Sequence, residues 1–206
     1  MLRLQKQVDK ARAIAVPLNT YQIDARAKND SFLKHEWGGV YPSDLLTKQI
    51  GFKRPKGYIA NTDPSNKSGS HWVSFNFPRE EEIVEFYDSY GLLPSFYTPY
   101  FSHFIKENGK HLLRSNVDSQ GLFSDVCGYY ALGYLHMRSK GRSMSSIINS
   151  FPVNSKNTND KKIAEYVNYN IPMPRHGRHH SINRPPHNQT VQKKHENYAR
   201  YNAAKR

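Results

Sequence analysis

Residues 71–77 alternate, with Val73, Phe75 and Phe77 interleaved with Trp72, Ser74 and Asn76. A period of two marks a strand whose faces meet different surroundings. A second run over residues 82–88 carries Ile83, Val84, Phe86 and Tyr87. Between the runs lie Pro78, Arg79, Glu80 and Glu81, so the two read as an antiparallel hairpin closed by a turn. Farther along, Phe96, Tyr100, Phe101, Phe104 and Ile105 predict a helix over residues 94–107 with one buried side. The run 126–137, with Tyr130, Tyr134 and Met137 at helical spacing, predicts a buried helix, and Ser124 just ahead of it is a candidate N-cap. Helices over 43–50, 143–150 and 160–168 and strands over 56–62 and 111–117 complete the pattern, and the polar run 63–70 reads as a loop.

These elements divide the chain into three parts. Residues 1–20 form a basic, weakly amphipathic leader whose few large apolar residues include Leu2, Leu4, Val8 and Ile14. That leader reads as a short docking helix or a frayed end, and residues 21–170 hold the elements named above. Residues 171–206 hold eight cations against one acid, Glu196, so seven of the chain's net +13 charges lie there, with no Leu, Phe or Trp. Such a tail lacks the apolar surface to offset its ordering entropy and reads as a disordered arm. Clustered cations on a flexible segment suit phosphate backbones, which makes nucleic acid a candidate partner; the plainer reading is a solubilising tail. His176, His179 and His180 carry little metal signal, because a disordered stretch enforces no ligand geometry.

Composition narrows the class. At 206 residues and 37% hydrophobic, the chain can bury one sizeable core. One cysteine excludes an internal disulfide framework and fits a reducing, intracellular compartment. Charges interrupt the N-terminus too often for a signal peptide, and no apolar run is long enough to span a membrane. The expectation is therefore a protein neither secreted nor membrane-bound, acting as a monomer. Gly-rich phosphate loops and paired Cys ligands are absent, so neither a metal nor a small-molecule cofactor is called for.

The candidate chemistry centres on Cys127. A thiolate nucleophile needs an imidazole to take and return its proton, a carboxylate to orient that imidazole, and donors for the oxyanion. The chain offers His71, Asp88, Gln120 and Cys127 in that order. His71 opens one strand of the hairpin and Asp88 closes its partner, so they are expected side by side. Cys127 falls in the first turn of its helix, where the dipole and unpaired amides favour a thiolate. Gly128 removes bulk beside the sulfur. Taken singly, each has a bland alternative: a buried small hydrophobe, one of ten histidines, a turn carboxylate.

The stretches His71-Trp72-Val73-Ser74-Phe75, Phe86-Tyr87-Asp88-Ser89-Tyr90-Gly91 and Gln120 to Gly128 resemble the adenovirus-type maturation proteases, especially those of polinton (Maverick) elements and virophage-like viruses. The steps of seventeen residues from His71 to Asp88 and seven from Gln120 to Cys127 fit that family. Segments 37–46 and 57–64 look like its N-terminal helix and first strand, and 159–170 like its closing helix; about residues 35–170 are covered. The resemblance implies an α+β, adenain/deSUMOylase-like cysteine protease fold, a mixed central sheet flanked by helices. It also implies Cys127 as nucleophile, His71 as base and acid, Asp88 as orienting residue and Gln120 as oxyanion donor. Many adenoviral members carry Glu where this chain has Asp88.

On that footing the expected function is a cysteine endopeptidase cutting viral capsid and core precursors near small residues during virion maturation, in host cytoplasm or nucleus and in the virion. Viral DNA, held by the tail, and an activating peptide are its implied partners. With no second cysteine, that peptide would bind noncovalently. Two rival readings are a protease removing ubiquitin-like modifiers from host proteins and a catalytically dead, basic DNA-binding or packaging protein.

Overall fold

The computed structural model describes residues 15–79 and 82–174. The calls on residues 1–14 and on the basic, His-rich arm from 175 onward lie outside the described residues.

The elements run α1 (Thr20–Asn29), β1 (Trp37–Pro42), α2 (Ser43–Leu46), β2 (Lys56–Asn61), β3 (Trp72–Phe77), β4 (Ile83–Tyr87), α3 (Pro94–Tyr97), α4 (Pro99–Asn108), β5 (His111–Arg114), α5 (Cys127–Ser139), α6 (Met144–Ile148) and α7 (Lys156–Asn170). The strands form one mixed sheet in the order β1-β2-β3-β4-β5. Its outer pairs, β1 with β2 and β4 with β5, are parallel, and the inner pairs are antiparallel.

Period-two alternation gives the sheet two unlike faces. Val73, Phe75, Phe77, Val84 and Phe86 point to one side, where they meet Phe101 and Phe104 of α4 and Leu46 of α2. Ser74, Asn76 and Glu85 point to the other, under α5, whose residues 127–137 are all buried. Helix α5 is buried on every side because α1 and α7 also wrap it; Ile23, Ile163 and Val167 join its cluster.

Helix α5 runs along β3 in register. Cys127 interacts with His71, the Ser74 hydroxyl donates to Ala131 O at 2.9 Å, and Arg138 Nε reaches Glu85 Oε2 at 2.7 Å, Glu85 being paired with Asn76. Five strand residues and eleven helical residues each span about 17 Å, so helix and strand stay in step over the whole contact. Glu85 also accepts from Tyr134 and from Asn76, each at 2.7 Å. Directional bonds of this kind fix the register, which apolar contacts alone leave loose.

Several boundaries differ from the sequence expectation. Segment 37–42 is the first strand, not part of a helix, and the helix after it ends at Leu46. Proline at 99 splits the expected helix over 94–107 into α3 and α4 about the N-cap Thr98, and Tyr100 is exposed. Strand β5 stops at Arg114, and α7 starts four residues before 160. Helix α1 had no strong apolar stripe to announce it; a capping box between Asn19 and Gln22 sets its start. Leu18, in the expected leader, is buried in the core.

Candidate active site

The hairpin places the first two residues. Extending its register by one pair sets Asp88 opposite Val73, two residues from His71, so His71 and Asp88 are diagonal neighbours. His71 Nε2 lies 2.7 Å from Asp88 Oδ1, with the residues only 4% and 0% exposed. Three further donors hold the carboxylate: the Tyr97 hydroxyl at 2.9 Å and Leu92 N–H at 2.8 Å on Oδ2, and Tyr90 N–H at 3.2 Å on Oδ1. The Asp88 backbone is pinned as well, its N–H donating to Ser115 Oγ and its carbonyl accepting from the same hydroxyl, each at 2.8 Å. The rings of Tyr90 and Tyr97 pack on the imidazole at centroid distances of 4.9 and 5.6 Å. The carboxylate and both rings restrict the imidazole to one orientation.

Cys127 opens α5, with 5% of its surface exposed. The N-cap is Val126, which provides no side-chain bond. The expected cap, Ser124, lies in a turn two residues short of the helix, its N–H and hydroxyl both donating to Gly121 O at 3.1 and 3.0 Å. With no capping side chain on the first-turn amides, the dipole's positive pole acts on the sulfur. His71 Nε2 is taken by Asp88, and Nδ1 has no oxygen or nitrogen partner, which leaves it for Cys127. Burial alone would lower the His71 pKa, but bonds and charge from Asp88 and Cys127 outweigh it and hold the imidazole up at about 9.

Gln120 is wholly buried. Its Oε1 accepts the Ser89 hydroxyl at 2.6 Å and its Nε2 donates to Ser124 O at 2.8 Å. An amide nitrogen carries two hydrogens, so one is left for a bound group. The Ser89 carbonyl also accepts Ser119 N–H and Gln120 N–H, at 2.8 and 3.2 Å. Gln120 is thereby tied to the residue next to Asp88. The four residues singled out in the sequence thus come from the β3–β4 hairpin and from the segment entering α5, and lie at one end of the sheet.

The arrangement brings together a thiol, an imidazole with its carboxylate, and an amide donor in a buried setting. Among the described residues no group of three His, Cys, Asp or Glu is placed to hold a metal. No helix is long and apolar enough to cross a membrane, again among the described residues. Sequence reading missed Tyr97, Ser89 and Ser115. Ser89 had a signal, its place beside Asp88; Tyr97 lies nine residues from Asp88 and Ser115 twenty-seven, beyond two helices and β5, and no spacing rule reveals either.

No protein-family model matches the chain. One curated protein, the beta-lactamase OXA-20 of Pseudomonas aeruginosa, is 26% identical over 101 residues, 36% of this chain and 38% of that protein. Among solved structures, a protease of ASFV is 17% identical, covers 71% of this chain and 66% of its own, and has a TM-score of 0.50. The Chlamydia trachomatis effector protein ChlaDUB1 is 12% identical, covers 82% of this chain and 89% of its own, and has a TM-score of 0.56. The chain therefore spans just under two thirds of the viral protease and about two fifths of the beta-lactamase. At these identities the likeness is one of fold, and the five-stranded mixed sheet flanked by helices is the fold of the adenain/deSUMOylase-like cysteine proteases.

Proposed function

We propose that the chain is a cysteine endopeptidase in which Cys127 is the nucleophile, His71 the general base and acid, Asp88 the orienting carboxylate and Gln120 an oxyanion donor. The observation that carries this is His71 held between Asp88 and Cys127, with Asp88 on Nε2 at 2.7 Å. Cys127 gives its thiol proton to His71, its sulfur attacks the scissile carbonyl carbon, and the carbonyl electron pair moves to an oxyanion facing the Gln120 N–H. As the tetrahedral intermediate collapses, the C–N bond breaks and His71 gives its proton to the leaving amine. Water then gives a proton to His71, attacks the thioester and releases the acid, returning the thiol. Asp88 and the two tyrosine rings keep the imidazole in line throughout.

The substrate reading follows the sequence motifs: virion precursor proteins cut near small residues, with viral DNA and a noncovalent peptide as partners. The fold shared with a viral protease supports it. A second reading, removal of ubiquitin-like modifiers, is favoured by the likeness to ChlaDUB1, which extends over more of both chains. One experiment separates them. Wild type and Cys127→Ala are presented with a peptide library carrying small-residue and Gly-Gly sites, with and without duplex DNA, beside a ubiquitin-family active-site probe. Cleavage by wild type alone, without probe labelling, supports the endopeptidase; efficient probe capture moves the function to modifier removal. Cleavage that persists in Cys127→Ala removes both.

A further inference from the structure

Helix α7 reaches back to the loop that carries Gln120, residues 118–124. Lys156 Nζ pairs with Asp118 Oδ2 at 2.5 Å, and the Asn159 amide donates to Ser119 O at 3.2 Å and to Pro152 O at 2.8 Å. Next to Asn159, Asp160 accepts Gly121 N–H at 3.0 Å on Oδ2 and at 3.3 Å on Oδ1. The Tyr130 hydroxyl, on the helix that begins at Cys127, lies 3.1 Å from Asp160 Oδ1 and 3.2 Å from Ser119 O. One carboxylate therefore joins the residue after Gln120 to the helix of the nucleophile.

Asp160 has no exposed surface. Burial raises its pKa, while bonds from Ser124, Gly121 and Tyr130 act the other way. A carboxylate in a protein interior is destabilising unless donors surround it, so its presence here needs a reason beyond filling space. The fit around it is tight. A Cβ on Gly121 would stand 2.7 Å from Asp160 Oδ2, so only glycine lets the carboxylate reach the loop backbone. None of its hydrogen bonds goes to His71, Asp88 or Cys127.

We infer that Asp160 is a positioning residue for the oxyanion donor: by gripping Gly121 and linking it through Tyr130 to α5, it fixes Gln120 Nε2 relative to the Cys127 sulfur. This rests on the roles proposed above for Gln120 and Cys127. Asparagine at this position puts an NH2 group where Oδ2 accepts Gly121 N–H, so donor faces donor, the 3.0 Å bond is lost and only the longer 3.3 Å contact to the other oxygen remains for the loop. The loop then relaxes, and Gln120 leaves the position the oxyanion needs. The sulfur itself is unaffected, because none of these contacts touches it.

The test compares two reactions of the full chain. Peptide hydrolysis builds an oxyanion. Alkylation by iodoacetamide does not: the Cys127 sulfur forms a bond to the methylene carbon, the carbon–iodine bond breaks and iodide leaves. Asp160→Asn is expected to lower kcat about 10- to 100-fold with KM near the wild-type value, and to leave the alkylation rate within about twofold. In a Gln120→Ala background the same substitution is expected to add nothing, since the group it positions is gone. Should Asp160→Asn fail to fold, Gly121→Ala attacks the same contact from the loop side and is expected to show the same split. An unchanged kcat, a parallel fall in alkylation, or an undiminished penalty in the Gln120→Ala background overturns the inference and leaves the proposed function standing. A wild type that alkylates at Cys127 but hydrolyses no peptide removes that function and this inference with it.

Discussion

On one face of the sheet Phe75, Phe77, Phe86, Phe101 and Phe104 pack ring against ring, with centroids 5.1–6.1 Å apart among those in contact. On the other, Ser74, Asn76 and Glu85 lie under α5, with hydrogen bonds to Ala131, Tyr134 and Arg138 and between Asn76 and Glu85. Apolar contacts have no preferred direction, so the aromatic face supplies stability without fixing where a helix must stop. Hydrogen bonds have direction, and the polar face sets the step of α5 along β3 that brings Cys127 to His71. The same strand thus serves stability on one side and alignment on the other.

Substitutions should separate those two kinds of contribution. The largest effect is expected at the reacting end: Cys127→Ala should lower peptide hydrolysis at least about ten-thousandfold while its melting temperature stays near that of wild type. Substantial turnover by a folded Cys127→Ala protein would end the distinction between the faces. Next comes the aromatic face, where Phe104 touches Tyr58, Phe75 and Phe77. Phe104→Ala should cost about 3–5 kcal/mol in denaturant unfolding, with kcat per folded molecule kept. A folded variant that has lost turnover would show that the aromatic face also positions the site.

Glu85→Gln tests the polar face away from the reaction. It leaves Arg138 half-buried without its carboxylate and should destabilise by about 2–3 kcal/mol. Because α5 loses its register lock, the alkylation rate of Cys127 should fall as well, which Phe104→Ala should not cause. Equal alkylation rates in the two variants would refute the register argument. Smaller still is Ser89→Ala, which frees the Gln120 amide to turn over and should reduce kcat roughly three- to tenfold with alkylation unchanged.

The pH dependence follows from His71. Its pKa lies at about 9 in the folded chain, above the ordinary 6.5, so the folded state binds the proton more tightly than the unfolded state. The stabilisation is complete below about pH 6.5 and is lost as pH rises through about 9. Melting temperature should fall across that window in wild type, and Asp88→Asn should flatten the fall. A slope identical in both proteins would remove Asp88 as the cause.

Much of this was legible in the residues because the signals were local. Alternation over 71–77 and 82–88 gave the hairpin, and the hairpin gave the His71–Asp88 contact, since diagonal pairing needs nothing from elsewhere in the chain. The dense apolar run after Cys127 marked α5, and it is the buried central helix. Long-range partners were not legible. Tyr97 reaches Asp88 across a turn, Arg138 finds Glu85 from another element, and Asp160 meets Gly121 from a helix thirty-nine residues on. Two local signals also misled: Ser124 looked like a cap but donates to Gly121 O three residues back, and 37–42 formed a strand because β2 was there to pair with it.

The most direct measurement is intact mass after rapid quenching of the protein with an activated peptide ester. The account predicts an acyl adduct on Cys127 in wild type, none in Cys127→Ala, and a longer-lived adduct in His71→Ala if any forms. An adduct on another residue, or turnover with no adduct on Cys127 at any time, would contradict it.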